Sequence, residues 1–263
     1  MPKRPVTFLI GLFMFFAANN YAQDADLNPL PDVASPDKLV DYPTAGTLPR
    51  ASFNVELDAF SRGGILSFIN IGLHERFTLG ISYGGTGILG DIDPDWHKRP
   101  EYKIKLRLID ESYAFPAIAI GFESQGTGIY DDELDRYQFK APGFYLVASK
   151  GYRAYNWVSG IHLGAHLNTI EDNRDGDDDP SFFAGFDITF NNNLSITGEY
   201  QAALNDNSES SRYGRGRGYM NMGVLWTFSD QLQLGAIFKD LLNNSRVTES
   251  ITRELRITYT ERF

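Results

Sequence analysis

Four groups of residues have the types and spacing that chemistry could use. Lys103, Lys105 and Arg107 alternate in "EYKIKLRL", which on a strand stacks three cations on one face. Such a ladder suits an anionic polymer or a set of internal ion pairs. Glu171, Asn173, Asp175, Asp177 and Asp179 fall at the offsets of a calcium loop around Gly176, but Phe182 stands where the bidentate Glu belongs. This is a candidate weak divalent-cation (Ca) site, and a solvated acidic loop is the plainer reading. His162 and His166 share a strand face but lie roughly 13 Å apart, too far for one metal ion. Gly85-Thr-Gly-Ile-Leu-Gly90 matches a dinucleotide fingerprint in form only, because "DIDPDWHKRP" follows where a helix is required. Ser159 lies near His162 but on the opposite strand face, and there is no GxSxG, so no catalytic residue is assigned.

Composition narrows the elements that could position these groups. The net charge of −10 excludes a phosphate-binding, nucleic-acid surface as the main role. The absence of cysteine excludes disulfides and thiolate metal sites. "MPKRP" followed by the apolar run Val6–Ala18 reads as a signal peptide, residues 1–22, cut after Ala22. Its loss takes the charge to about −12, since Lys3 and Arg4 leave with it. Residues 23–50 carry Pro29, Pro31, Pro36, Pro43 and Pro49, and read as an extended periplasmic linker.

From residue 51 the chain alternates. Twelve runs are predicted as strands: 51–60, 64–73, 77–84, 101–109, 115–123, 143–150, 154–165, 181–190, 193–203, 218–228, 231–240 and 251–263. Most are long enough to cross a bilayer when tilted. Short turns alternate with long polar loops at 85–100, 124–142, 166–180, 204–217 and 241–250. An even strand number with segregated loop lengths predicts an all-β fold, a transmembrane antiparallel up-and-down barrel of about 12 strands spanning 51–263.

The alternation places Glu56 and Asp58 on the first strand and Arg256 and Arg262 on the last with the polar stripe. Closure makes these strands neighbours, so lumenal ion pairs are expected among them. The apolar stripe should meet lipid, with Tyr83, Tyr102, Trp157, Tyr200, Trp226 and Phe228 as candidate interfacial aromatics. Tyr259 and the terminal Phe263 fit the aromatic strand end that barrel-assembly machinery reads.

Three stretches resemble the YjbH-like family of outer-membrane barrels: "YPTAGTLPRASF" (42–53), "FPAIAIGFESQGTGIY" (115–130) and "FYLVASKGY" (144–152). The resemblance brackets residues 42–152 and implies a link to exopolysaccharide production and export. The combined expectation is a non-enzymatic protein of a Gram-negative outer membrane, accessory to or a conduit for envelope polysaccharide. Its partners would be lipid, the assembly machinery and an anionic polysaccharide, with no cofactor. A small-solute porin, a partner-binding barrel with a plugged lumen and, last, an outer-membrane lipase are the alternatives.

Overall fold

The computed structural model describes residues 35–263, except 92, 155, 209, 210 and 249. In chain order the elements are β1 (Ser52–Phe60), β2 (Gly64–His74), β3 (Phe77–Thr86), β4 (Asp95–Trp96), β5 (Glu101–Ile109) and β6 (Ala117–Glu123). Next come β7 (Thr127–Asp131), β8 (Arg136–Phe139), β9 (Gly143–Ala154), β10 (Trp157–Leu167) and α1 (Asp172–Asp175). The chain ends with β11 (Ser181–Phe190), β12 (Leu194–Gln201), β13 (Tyr219–Thr227), β14 (Leu232–Lys239) and β15 (Thr252–Arg262).

Twelve of these strands pair antiparallel in a closed ring. Only β4, β7 and β8 stand outside it: β4 extends the end of β3, and β7 and β8 form their own hairpin. The seam is the β1–β15 pair, in register from Ser52↔Arg262 to Ala59↔Leu255. Closure leaves no sheet edge, which lipid could not satisfy.

The barrel is inside out relative to a soluble protein. Ile69, Ile81, Ile104, Leu146, Leu163 and Leu255 point outward and are each 44–53% exposed. The residues between them point inward and are polar: Asn54, Glu56, Asp58, Lys103, Lys105 and Glu199 are all buried. Alternation on a tilted strand produces this split, and only a lipid exterior makes it favourable. The aromatics divide between the two rims. Trp157, Trp226 and Phe228 lie at the short-turn end, and Tyr83, Tyr102 and Tyr200 at the long-loop end.

The predicted boundaries shift most at one hairpin. β9 runs to Ala154 and β10 starts at Trp157, because Ala154 and Trp157 pair with each other. At the seam Phe53 stacks on Phe263, ring centroids 6.2 Å apart, and Tyr259 lies beside them.

The segment read as a periplasmic linker is corrected over residues 37–48. These residues lie inside the barrel: Leu39, Val40, Tyr42, Thr44 and Ala45 are buried. They form a tight reversal, with Leu39 N–H donating to Tyr42 O and Thr44 N–H to Asp37 O. Composition alone misleads here, because a polar lumen accepts the same Pro-rich, acidic segment that a solvated linker would.

Replacing lipid-facing Ile104 with Arg is expected to destabilise the barrel by about 2–4 kcal/mol. Urea unfolding in phospholipid vesicles, followed by heat-modifiable gel migration, measures this; an unchanged midpoint would place Ile104 away from lipid.

Candidate functional site

The lumen is where the buried charges gather, and the 37–48 segment occupies it. Glu199 on β12 anchors its tip. One Glu199 carboxylate accepts N–H bonds from three consecutive residues, Val40, Asp41 and Tyr42, at 3.0–3.1 Å. Asn221 on β13 donates to the same carboxylate at 2.8 Å. Consecutive N–H groups that converge this way form an anion-binding nest. Gly185 makes room for it, since a Cβ there would stand 2.3 Å from Leu39 Cδ1.

The segment's charged side chains are matched as well. Asp37 meets Lys103 at 2.5 Å and Lys105 at 2.8 Å. Lys105 also donates to Gly46 O at 2.9 Å. Asp41 meets Lys239 at 2.8 Å, and Lys239 bonds Glu254 at 2.9 Å. Lys38 reaches Glu56 at 2.5 Å. Arg256 grips Asp58 with two bonds of 2.8 Å and donates its third contact to Val40 O at 3.0 Å.

The expected seam pairs among Glu56, Asp58 and Arg256 are therefore present. Arg262 is a correction: it is exposed at the strand end and makes no ion pair among the described residues. The basic ladder is corrected to two rungs. Lys103 and Lys105 are lumenal, but Arg107 is at the short-turn rim, bonded to Glu75 O and Asp110. The two lumenal rungs carry the segment's own Asp37, so among the described residues they form no free basic track.

The long-loop end is also closed. The β7–β8 hairpin folds over the mouth with all four residues of β8 buried. Thr127 on β7 contacts both Asp41 and Lys239. Between the hairpin and the segment tip a cavity remains, lined by Asp41, Tyr42, Gln125, Thr127, Phe139 and Tyr219. Its volume is about 20 Å³, room for roughly one water molecule.

The acidic 171–179 stretch locks this cap and does not gather around a metal. Glu171 is buried and accepts Tyr137 N–H and Ala141 N–H, both at 2.7 Å. Asp175 pairs with Arg136 at 2.6 Å and Lys140 at 2.8 Å. Asp177 accepts the N–H groups of Asn207 and Ser208. Asn173 donates to Thr169 O, and Asp179 is exposed. Among the described residues no cluster of three or more His, Cys, Asp or Glu is arranged to hold a metal ion. The Gly85–Gly90 stretch starts on the end of β3, where Gly85 pairs with Trp96, and continues as loop, with Gly87 N–H and Leu89 N–H donating to Arg62 O and Gly63 O.

His162 and His166 keep separate partners. His166 Nδ1 contacts Pro142 O at 3.0 Å, and its ring lies 5.2 Å from that of Tyr42. His162 sits between Ser149 on β9, 2.8 Å from Nδ1, and Asp187 on β11, 2.7 Å from Nε2. All three are buried. Sequence reasoning puts His162 on the lumenal face but misses its partners Ser149 and Asp187, together with Lys239 and Asp37. The inward parity of Ser149 and Asp187 was readable; their register against His162 was not.

Comparison with known proteins gives one family. The YjbH model, described as exopolysaccharide biosynthesis protein YbjH, matches residues 38–241. No curated protein matches the sequence. Among solved structures, the KdgM porin is 10% identical, with 81% of this chain and 99% of that chain covered and a TM-score of 0.46. Omp33 of Acinetobacter baumannii is 9% identical over 81% and 97%, TM-score 0.47. The COG4313 channel of Pseudomonas putida F1 is 13% identical over 82% and 98%, TM-score 0.43. These likenesses are too loose to carry over what any of those proteins does.

Burial pushes the Glu171 carboxyl up to about 7, against the opposing pull of its N–H donors and Arg136. Burial raises Asp172 to about 6, with Lys140 opposing. Carboxyls with raised values in the fold stabilise it below their ordinary range, and that contribution fades as pH rises through about 6 to 7. Amide exchange at Tyr137 and Ala141, corrected for its intrinsic rate, should therefore quicken on the order of tenfold between about pH 5 and pH 8. Glu171→Gln should flatten the profile; a variant that keeps the full rise would assign it to another group.

Proposed function

The chain belongs to the YjbH family, and on that premise we propose that it is an outer-membrane barrel serving envelope polysaccharide as a conduit closed at rest by its own residues 37–48. The short turns face the periplasm and the long loops face outward. The observation that carries this reading is the polar seat of the segment. Glu199, Lys103, Lys105, Lys239 and Arg256 hold it by hydrogen bonds and ion pairs.

A seat of this kind is exchangeable. Each hydrogen bond is worth only about 0.5–1.5 kcal/mol net, because water can replace the partner. An apolar plug would have no such substitute. The carboxylates of Asp37 and Asp41 also occupy lysines that the acid groups of an anionic polysaccharide would take once the segment leaves. Polymer entry and segment release then become alternatives at the same cations.

The matched region begins at Lys38, so it includes most of the lumenal segment. A freely open small-solute porin is less well supported, because the path is filled from Leu48 to the β7–β8 hairpin. A purely structural barrel would share the filled lumen but would have no reason to open.

Single-channel recording in planar bilayers decides between them. The native protein should be mostly closed, and Glu199→Ala, which releases three amides at once, should open it. Alginate, as a test anionic polysaccharide, should block the opened channel, and Lys103→Gln with Lys105→Gln in the opened variant should relieve the block. A Glu199→Ala protein that stays closed would point to the structural barrel, and block that survives loss of both lysines would remove the basic rungs from the polymer path.

A further inference from the structure

Ser149, His162 and Asp187 lie on three adjacent strands, β9, β10 and β11, and their side chains form one chain of contacts inside the lumen. Ser149 and His162 are direct cross-strand partners. Asp187 pairs with Gly160, two residues from His162 on the same face. Gly160 is what lets them meet: a Cβ there would stand 2.4 Å from Asp187 Oδ1 and 2.7 Å from His162 Nε2.

The direction of the hydrogen bonds follows from the partners. A carboxylate only accepts, so the 2.7 Å contact requires a hydrogen on His162 Nε2. In the neutral imidazole Nδ1 is then the acceptor, and Ser149 donates its hydroxyl hydrogen to it. Ala45 N–H donates to Ser149 Oγ at 2.8 Å, which occupies one of its lone pairs and leaves this arrangement intact. The hydroxyl is thus already aimed at a base, and the base is held by an acid.

We infer that Ser149 and His162 form a nucleophile–base pair, with Asp187 as the positioning residue, that hydrolyses acyl esters once residues 37–48 have left the lumen. The inference rests on the gated reading above, because Ala45 covers Ser149 in the closed state. The substrate class is an O-acylated saccharide chain entering the lumen. Ser149 Oγ bonds to the ester carbonyl carbon while its proton passes to His162 Nδ1. The bond from that carbon to the sugar oxygen breaks, and the sugar oxygen takes the proton. Water then repeats the two steps, leaving a free carboxylic acid and a restored Ser149.

Lys105 is released by the same movement that uncovers Ser149. Its ammonium donates to Gly46 O while Ser149 accepts from Ala45 N–H, so the two side chains grip consecutive residues of the segment. Release of the segment frees both together. The pairing is distinct from a ladder of structural lumen bonds in one respect: it links a hydroxyl, an imidazole and a carboxylate in the order that proton transfer requires.

The test uses the full-length protein in bilayers or detergent, as native chain and as Glu199→Ala, with a small alkyl fluorophosphonate as the probe and conductance read on the same preparations. The expected result is a fluorophosphonate adduct on Ser149 in the opened variant, at least tenfold slower in the native chain, lost in Ser149→Ala and lowered about 10²-fold or more in His162→Ala. Asp187→Asn should slow labelling and displace its pH profile, which a merely structural contact would not do. A variant that conducts but carries no adduct on Ser149 overturns the inference and leaves the gate standing. If Glu199→Ala does not conduct, the gate falls and this inference falls with it. Labelling that persists unchanged in His162→Ala overturns the assignment of the base.

Discussion

Glu199 accepts three successive backbone amides at the turn of a segment that lies inside the barrel, and the segment's other polar contacts follow from that anchor. A buried carboxylate is costly unless several donors surround it. Val40, Asp41 and Tyr42 supply those donors and in return have their own amides satisfied inside a sheet whose strands have none to spare. The turn holds Asp37 and Asp41 where Lys103, Lys105 and Lys239 are buried on the wall. Each side is therefore the solvation of the other.

The same constraint explains why the lumen is so rich in charge and yet so full. A narrow barrel whose outer face must be apolar has only its inward positions for polar residues. Those residues are shielded from bulk water, so they must pair with one another or with something inserted between them. Arg256 does both, holding Asp58 across the seam and Val40 O from the segment. At the mouth, Arg136 and Lys140 do the same for two loops, meeting Asp172 and Asp175 in the acidic one and Asp206 in the 204–217 loop. Removing one member from either network leaves a buried charge unmatched, a loss of order 3–5 kcal/mol for a fully buried pair.

The proposed function rests on how such networks exchange. Water or the acid and hydroxyl groups of a saccharide can substitute for ion pairs and amide bonds, which they could not do for tight apolar packing. The His162 trio lies on the wall that the segment covers, and Gly160 and Gly185 are the small residues that admit, respectively, the trio and the segment. Under the proposed function, binding, closure and ester chemistry share one surface, which residues 37–48 cover in this structure.

The sequence by itself determined the barrel. Alternation at period two, strand lengths near ten residues and unequal loops are local properties, written in each segment without reference to the others. Closure also followed, and with it the meeting of Glu56 and Asp58 with Arg256, because the first and last strands of a ring must be neighbours. Only the tertiary structure decided what fills the ring. Parity states which face a residue uses but not how far along the barrel it lies, so Arg107 and Arg262 share the lumenal stripe and still end at the rim. Register across three strands brings Ser149 and Asp187 to His162, and no one-dimensional pattern encodes register. The segment at 37–48 was the hardest to read because a polar lumen selects for the same residues as water does; its place depends on Glu199, Lys239 and Arg256, drawn from strands far along the chain.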